Sequence, residues 1–274
     1  MQAVAEIVDL EAPLTYLVAD GAPPFAYTHT PPPGMPRRSG RYEPRTVHIR
    51  DARPIAGEIS LDREGFAFRR HVSAVADFRD ETAIRDIYYR EAEALVRAAT
   101  GAEAVLTFDH TIRTSALAER AESGLREPAS RVHNDYTERS APQRVRDLLP
   151  AEEAEARLRR RYAEFNVWRP IKGPVQAWPL ALCDARSLAE QDLVISELRY
   201  PDRIGETYAV TYNPRHRWFY FPRMRTDEAI LIKCFDSARD GRARLSVHTA
   251  FDDPTTPAGA PPRESIEVRM FAFF

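Results

Sequence analysis

The sequence predicts a mainly β protein in which a jelly-roll core is flanked by helices, and three observations lead to this prediction. The first is a series of eight or so short β-prone runs from Phe165 onward: FNVW, LALC, DLVISELRY, TYAVTY, WFYF, AILIKCF, RLSVHTAF and SIEVRMFAFF. Strands at this spacing, with little helix between them, are typical of a sandwich or barrel of the jelly-roll kind. The second is helical periodicity, which is confined to the chain before these strands. The third is the lack of a linker or internal repeat, so we expect a single domain over residues 1–274.

The N-terminal region is rich in proline. Between residues 21 and 46 lie Pro23, Pro24, the run Pro31 to Pro33, Pro36 and Pro44. Proline has no N–H to donate and a fixed φ, so this segment is not expected to form regular helix or a central strand. We therefore expect an arm, about residues 1–45, that wraps around the body. A short strand is predicted directly after it at Thr46–Ile49.

The clearest helix is predicted over residues 80–100. Its apolar residues share one stripe of period 3.6, with Asp80 as a plausible N-cap and Gly101 as a plausible stop; the stripe consists of Ile84, Ile87, Tyr88, Leu95 and Ala99. The other elements expected before the β-rich part are a buried strand at 104–108, a helix at about 115–123, and a helix at about 150–165 that begins with Pro150.

The composition excludes several classes of protein. The net charge is −2 and the pI about 6.4, so neither nucleic acid nor an anionic membrane is expected as a partner. No run of about 18 apolar residues predicts a transmembrane helix, and the first residues lack the pattern of a secretory signal. Cys183 and Cys234 lie in apolar runs without metal-ligand spacing, so we interpret them as buried free thiols. A cytoplasmic location fits these features.

Two histidine contexts indicate a metal site. His133 and Asp135 form an HxD pair, and in an extended strand residues i and i+2 point to the same side. His248 lies on a later predicted strand. Together these three residues could supply a facial set of two histidines and one carboxylate, which leaves coordination positions open and suits Fe(II) chemistry with O2. The HxD tripeptide is weak evidence by itself, and the long separation of the pair from His248 requires additional elements between them.

The residues after His248 strengthen the metal hypothesis. A proline-rich loop leads to Arg263 and Ser265, an R-x-S pattern that is similar to the cosubstrate site of many 2-oxoglutarate oxygenases. A guanidinium can form two charge-assisted hydrogen bonds with the distal carboxylate of 2-oxoglutarate, and a serine two residues later faces the same way. Arg269 is an alternative for the same role, although it could equally face solvent on an alternating strand.

Several polar and aromatic side chains could line a small-molecule pocket. The candidate substrate contacts are Asn166, Trp168, Arg169, His216 and Tyr220. The alternative for the first group is a core tryptophan beside an arginine whose stem is buried. For His216 the alternative is a histidine packed on aromatic residues at a strand entrance, and it is also a rival to His248 as a metal ligand. His110 is interpreted as structural or pocket-lining.

Longer phrases carry a resemblance to a known family. NVWRPIKGPVQAWPLALCDARSL, YNPRHRWFYFPRMRTDEAILIKCFDS and the ending HTAFDDP…PPRESIEVR resemble the CmcJ/NvfI-type oxidoreductases, also described as the AsaB hydroxylase/desaturase family of fungal and bacterial secondary metabolism. The phrases LDREGFAFRRH, YYREAEALVRAATGA and FDHTIR are similar to it too, so the resemblance extends from about residue 45 to the end.

The resemblance implies a double-stranded β-helix (jelly roll, cupin-like) and an Fe(II)/2-oxoglutarate-dependent oxygenase that hydroxylates or desaturates a small secondary metabolite with O2. By matching motif positions, it implies iron ligands at His133, Asp135 and His248, and 2-oxoglutarate contacts at Arg263 and Ser265. It does not name the substrate.

A second hypothesis is a non-catalytic accessory partner of a methyltransferase or other tailoring enzyme in a natural-product pathway. Metal content separates the two hypotheses, because a helper need not bind iron. A methyltransferase itself is disfavoured, since no Gly-rich loop lies between a strand and a helix in a βαβ pattern. A homodimer is compatible with the sequence, which does not determine the oligomeric state.

Overall fold

The computed structural model describes residues 9–117 and 125–274. The helix predicted at about 115–123 therefore falls largely outside the described residues. Fourteen strands are formed in the described part of the chain. They are β1 Leu10–Val18, β2 Phe25–Tyr27, β3 Arg41–Asp51, β4 Phe66–Arg70, β5 Ala104–Thr114, β6 His133–Asn134, β7 Tyr162–Lys172, β8 Leu180–Cys183, β9 Leu193–Arg199, β10 Ile204–Val210, β11 Trp218–Tyr220, β12 Glu228–Asp236, β13 His248–Ala250 and β14 Glu264–Phe273.

The strands form two sheets that pack face to face. The larger sheet has nine strands in the order β1-β3-β11-β8-β13-β6-β10-β9-β2, and the smaller has five in the order β4-β12-β7-β14-β5. The layer between them is apolar; it combines Leu182 and Phe219 of the larger sheet with Trp168, Ile230 and Ile232 of the smaller one. Burial of such side chains contributes about 25 cal/mol per Å² of apolar surface removed from water, which makes this layer a main source of stability.

The predicted long helix is present as α1. It comprises Glu81–Ala83, a π-helical segment Ile84–Tyr88, and Tyr89–Thr100. The Asp80 side chain accepts hydrogen bonds from the backbone of Thr82 and Ala83, which typically stabilises a helix by ~1 kcal/mol, and Gly101 ends it in the left-handed conformation, as expected. Its buried face packs on the outer side of the smaller sheet, against Phe165, Val167, Val268 and Met270.

Several elements differ from the sequence prediction; the strand expected at 104–108, for example, continues to Thr114 as β5. The helix expected at 150–165 ends much earlier: α3 is Ala151–Leu158, and β7 starts at Tyr162, because from there the side chains alternate between two buried faces. Another helix, α2 at Ser140–Leu148, precedes it and was not predicted. The strand expected at 46–49 is the end of the longer β3, which takes in Pro44 and pairs along its length with the equally unpredicted β1.

Pro44 is tolerated inside β3 because the other neighbour of this strand, β11, pairs only with Ile49, Arg50 and Asp51. A proline can lie in a strand where no ladder hydrogen bond is needed from its nitrogen. Within the described residues no helix is long and apolar enough to cross a membrane. Cys183 and Cys234 are buried free thiols, as predicted.

The inner face of the smaller sheet is organised in three rows across β5, β14 and β7. Antiparallel pairing places directly opposite residues side by side on one face. The three inner rows are Asp109–Arg269–Asn166, Thr111–Glu267–Trp168 and Arg113–Ser265–Pro170. Because side chains alternate along a strand, the residues between them, such as Val268, face α1 instead. The polar side chains therefore collect on the face that looks toward the larger sheet.

Candidate metal centre

His133, Asp135 and His248 lie together on the inner side of the larger sheet. His133 on β6 is the direct partner of His248 on β13 in the antiparallel ladder, so the two rings lie side by side with centroids 4.5 Å apart. Asp135 follows two residues after His133. One potential ligand atom from each of the three side chains lies within 4.8 Å of the others. This is a spacing at which a single cation can contact all three.

The two imidazoles are held with the same nitrogen pointing toward the cluster. His133 Nδ1 donates to the carbonyl of Arg131 at 2.8 Å, and His248 Nδ1 donates to the carbonyl of Ser246 at 3.3 Å. Since Nδ1 carries the proton in each ring, Nε2 presents a lone pair. Burial, followed by the neighbouring His248, lowers the pKa of His133 to about 4, so this ring is neutral at pH 7 and able to bind a metal.

The Asp135 carboxylate is held from the smaller sheet. Its Oδ2 accepts hydrogen bonds from Asn166 Nδ2 at 2.8 Å and from Arg269 Nε at 3.3 Å. Burial alone would raise the pKa of Asp135, but the charge of Arg269, followed by the two histidines and the Asn166 amide, holds that pKa below its usual range. The group is thus ionised, and its Oδ1 lies 3.5 Å from His133 Nε2.

Arg269 is fully engaged in this anchoring. Besides Asp135 it donates to Asp109 Oδ1 and Thr111 Oγ1, each at 3.0 Å, and it forms a close ion pair with Glu267. These carboxylates raise the pKa of the buried guanidinium well above its ordinary value, against the effect of burial. Arg269 therefore orients the Asp135 carboxylate rather than presenting free donors to a ligand.

Arg263, unlike Arg269, keeps a hydrogen-bond donor without a partner in the described residues. It is 3% exposed, its Nη1 donates to the carbonyl of Trp178 at 2.7 Å, and its guanidinium lies over the Trp168 ring at 5.6 Å. Within the described part of the chain its Nε has no hydrogen-bond partner, and no carboxylate pairs with it. Burial, and then the charge of Arg113, lowers the pKa of Arg263 to about 9. Ser265 follows on the same face of β14 and is buried.

The predicted substrate contacts divide between the two faces of the strands. Asn166 and Trp168 lie on the inner face, where Asn166 contacts the candidate ligand Asp135 and Trp168 lies in the apolar layer. Arg169 lies on the opposite face of β7; it bonds to the carbonyl of Thr226 and stacks over the rings of Phe78 and Tyr88, 5.4 Å from each centroid. The structure does not bring Arg169 to the candidate centre, because adjacent strand residues point in opposite directions.

His216 and Tyr220 also lie away from the centre. Phe219 shares the face of Leu182 and His248, and so the neighbouring Tyr220 points to the other side of the larger sheet. His216 bonds to Tyr16 at 3.2 Å and to Asp192 at 3.1 Å and packs against Trp218. His110, on the outer face of β5, bonds to Tyr89 of α1 at 2.8 Å.

One inner-face residue was missed in the sequence. Glu164 is fully buried, and neither of its carboxylate oxygens has a hydrogen-bond partner in the described residues. Burial, and then the nearby Asp135, raises the pKa of Glu164 well above its ordinary value. The signal that could have found it is the i+2 spacing of Glu164, Asn166 and Trp168 on one strand.

Comparisons with known proteins identify the family of this chain. A family model described as an oxidoreductase/YMDC permease-like domain matches residues 14–273. The Fe(II)/2-oxoglutarate-dependent dioxygenase nvfI of Aspergillus novofumigatus is 35% identical over 255 residues, which cover 90% of this chain and 90% of that protein. The hydroxylase/desaturase CTB9 of Cercospora beticola is 36% identical over 262 residues, covering 88% of this chain and 79% of that protein.

A solved structure extends the similarity to three dimensions. The iron and alpha-ketoglutarate-dependent endoperoxidase NvfI superposes with a TM-score of 0.86 at 30% sequence identity, over 97% of this chain and 98% of that chain. The predicted cupin-like jelly roll flanked by helices is thereby confirmed, as is the family expected from the sequence. This chain belongs to the family of Fe(II)/2-oxoglutarate-dependent dioxygenases that includes NvfI and the fungal hydroxylase/desaturases.

Proposed function

We propose that this protein is a dioxygenase that uses Fe(II), 2-oxoglutarate and O2 to hydroxylate or desaturate a small secondary metabolite. The observation that carries the proposal is the cluster of His133, Asp135 and His248, in which both rings turn Nε2 toward the carboxylate. Relatives named as hydroxylase/desaturases, such as CTB9, support the reaction class.

His133, Asp135 and His248 would hold the iron. Two imidazoles and one carboxylate are a donor set that would suit a ferrous ion and would leave it free to bind other ligands. When bound, the iron supplies the activation of O2 and the oxidation of the substrate C–H bond. Asn166 and Arg269 keep the Asp135 carboxylate ionised and correctly oriented. Such supporting contacts tune metal affinity.

Arg263 and Ser265 would hold the cosubstrate. A buried guanidinium with a free Nε and no carboxylate partner in the described residues is costly, and an anionic ligand would remove that cost. The distal carboxylate of 2-oxoglutarate has the planar geometry that a guanidinium binds through two hydrogen bonds. Arg269 is a weaker candidate for this role, since its donors are already occupied by Asp135, Asp109, Thr111 and Glu267.

The small-molecule substrate would lie against the apolar layer on the same side as the metal ligands. Trp168, Leu182 and Phe219 form part of this wall, and they limit the access of water to the centre. Asn166 is better placed to hold Asp135 than to contact substrate. Arg169, His216 and Tyr220 face other parts of the molecule and are not included in the proposed substrate site.

The test is turnover together with spectroscopy. Protein supplied with Fe(II) under anaerobic conditions should develop a metal-to-ligand charge-transfer band on addition of 2-oxoglutarate, and in air it should release succinate. His133→Ala and Asp135→Ala should abolish both signals. His48→Ala is a matched control, because His48 is half exposed and lies on β3 outside the cluster. Unchanged succinate release by either cluster variant would disprove the proposed iron site.

The non-catalytic helper is disfavoured by the complete ligand set. A protein that only supports a methyltransferase has no need for three converging metal ligands and an unpaired buried arginine. Metal analysis of the purified protein distinguishes the two functions: a dioxygenase should take up one equivalent of iron, and a non-catalytic helper none.

The proposal extends to the setting of the enzyme. A cytoplasmic location is supported by the two free cysteines, which fit a reducing compartment. A homodimer is proposed because neighbouring strands β9 and β10 expose the apolar side chains Ile195 and Ile204, at 39% and 64%. Light scattering coupled to size-exclusion chromatography would measure the assembly.

A further inference from the structure

Arg113 lies next to Arg263 on the inner face of the smaller sheet. Arg113 on β5 is the direct cross-strand partner of Ser265 on β14. The main chain continues this pairing one step further, since the Ser115 N–H donates to the Arg263 carbonyl at 2.9 Å. Arg263 is therefore the diagonal neighbour of Arg113, and diagonal residues of one face have Cα atoms about 7–8 Å apart, within reach of long side chains.

Neither guanidinium is neutralised. Arg113 Nη1 donates to the carbonyl of Glu127 at 2.9 Å, an uncharged acceptor. Among residues 9–117 and 125–274, neither Arg113 nor Arg263 forms an ion pair with a carboxylate. The nearest acidic residue in the inner rows, Glu267, is already paired with Arg269.

Two like charges on adjacent strands are unfavourable unless an anion lies between them. Burial, followed by the charge of Arg113, lowers the pKa of Arg263 to about 9. Burial likewise lowers the pKa of Arg113. A fold that keeps two unpaired guanidiniums together gains stability when an anion is placed between them.

We propose that Arg113 and Arg263 together clamp the distal carboxylate of 2-oxoglutarate. The inference rests on the proposed function and adds a second cosubstrate-binding residue from β5, outside the R-x-S segment. Because a carboxylate can accept about four hydrogen bonds, two guanidiniums and the Ser265 hydroxyl can be satisfied by one group. The clamp would favour a 2-oxo acid with a second carboxylate over one without it.

The geometry favours the cosubstrate over an anionic substrate as the ligand. Arg113 is directly opposite Ser265 and diagonal to Arg263, so the three side chains start from neighbouring positions on one face and a single ligand carboxylate is within reach of all of them.

The experiment measures binding rather than turnover. Anaerobic Fe(II)-loaded protein is titrated with 2-oxoglutarate and with 2-oxobutyrate, which keeps the 2-oxo acid but lacks the distal carboxylate; the readout is the charge-transfer band. Arg113→Gln should weaken 2-oxoglutarate roughly 10- to 100-fold, the loss expected for charge-assisted hydrogen bonds, and leave 2-oxobutyrate unchanged. Arg239→Gln, at an exposed arginine that pairs with Glu138, should alter neither affinity.

The outcomes separate the clamp from the proposed function. If wild-type protein gives no band with 2-oxoglutarate, the proposed function fails. If the band forms and Arg263→Gln weakens it while Arg113→Gln leaves the ratio of the two affinities unchanged, only the clamp is overturned. A ratio that falls in both variants supports it. If Arg113→Gln does not fold, Arg113→Lys can be used, because it keeps the charge but loses the two parallel N–H donors of the guanidinium. The ratio of 2-oxoglutarate affinity to 2-oxobutyrate affinity should then fall to an intermediate value.

Discussion

Replacing Arg269 with glutamine removes the charge that anchors Asp135. At an effective dielectric constant of about 20, two unit charges at the 3.3 Å separating Arg269 Nε from Asp135 Oδ2 attract by about 5 kcal/mol. Part of this attraction is offset by the cost of burying both groups. Removing one partner of a buried ion pair typically destabilises a protein by about 3–5 kcal/mol, because the other charge remains buried.

The expected change in melting temperature follows from the length of the chain. Unfolding entropy of about 2.1 cal/mol/K per residue means that 1 kcal/mol shifts the midpoint of a 274-residue domain by about 2 °C. Arg269→Gln should therefore lower the unfolding temperature of the metal-free protein by roughly 5–9 °C. Circular dichroism in the presence of a chelator measures this shift directly.

A matched control is Arg160→Gln, which also removes an arginine from an ion pair. Arg160 and Glu103 are 55% and 57% exposed, and exposed pairs contribute only about 0–1 kcal/mol. Its unfolding temperature should stay within about 2 °C of wild type. If Arg269→Gln melts as close to wild type as this control does, Arg269 is not an essential buried anchor and the reasoning about Asp135 is refuted.

Two further predictions concern the metal contacts and pH. Asn166→Ala removes the amide that donates to Asp135 and should weaken metal binding roughly 10- to 100-fold in anaerobic titration calorimetry. Asn213→Ala is the control: it loses its bonds to Asp192 instead and should bind metal as wild type does. Equal affinities in both variants would contradict the role of Asn166. Burial lowers the pKa of His216 despite Asp192, so the stability that neutral His216 contributes is complete above the ordinary pKa of about 6.5 and is lost as pH falls toward the lower folded value. His216→Gln should thus show a shallower fall in unfolding temperature between pH 7 and pH 5, and parallel melting curves would exclude this contribution.

The sequence predicted the fold class and the convergence of residues that lie far apart. The i+2 spacing of His133 and Asp135 is a local property of an extended chain, and local properties can be predicted. The pairing of His133 with His248 across β6 and β13 depends on sheet register, which no local pattern determines. His248 was proposed as the third ligand because it lies on a later predicted strand followed by the R-x-S pattern, and the resemblance implied the same three residues; the strand pairing itself was not predicted.

The substrate residues were harder to predict because neighbouring strand residues face opposite ways. Trp168 and Arg169 are adjacent, yet one packs between the sheets and the other packs against α1. The same alternation separates Phe219 from Tyr220. The early end of α3 has a related cause: the alternating burial of β7 outweighs the helical charge pattern that continues to Arg161.

The alternation along β14 has a consequence for how such enzymes can diverge. Ser265, Glu267 and Arg269 share one side of a single ten-residue strand, with Arg263 immediately before it. Inserting or deleting one residue within that strand would turn these polar groups toward the apolar side of α1 and turn Val268 toward the face that carries them now. Changes in length should therefore accumulate in the loop at 252–262, while β14 changes only by substitution.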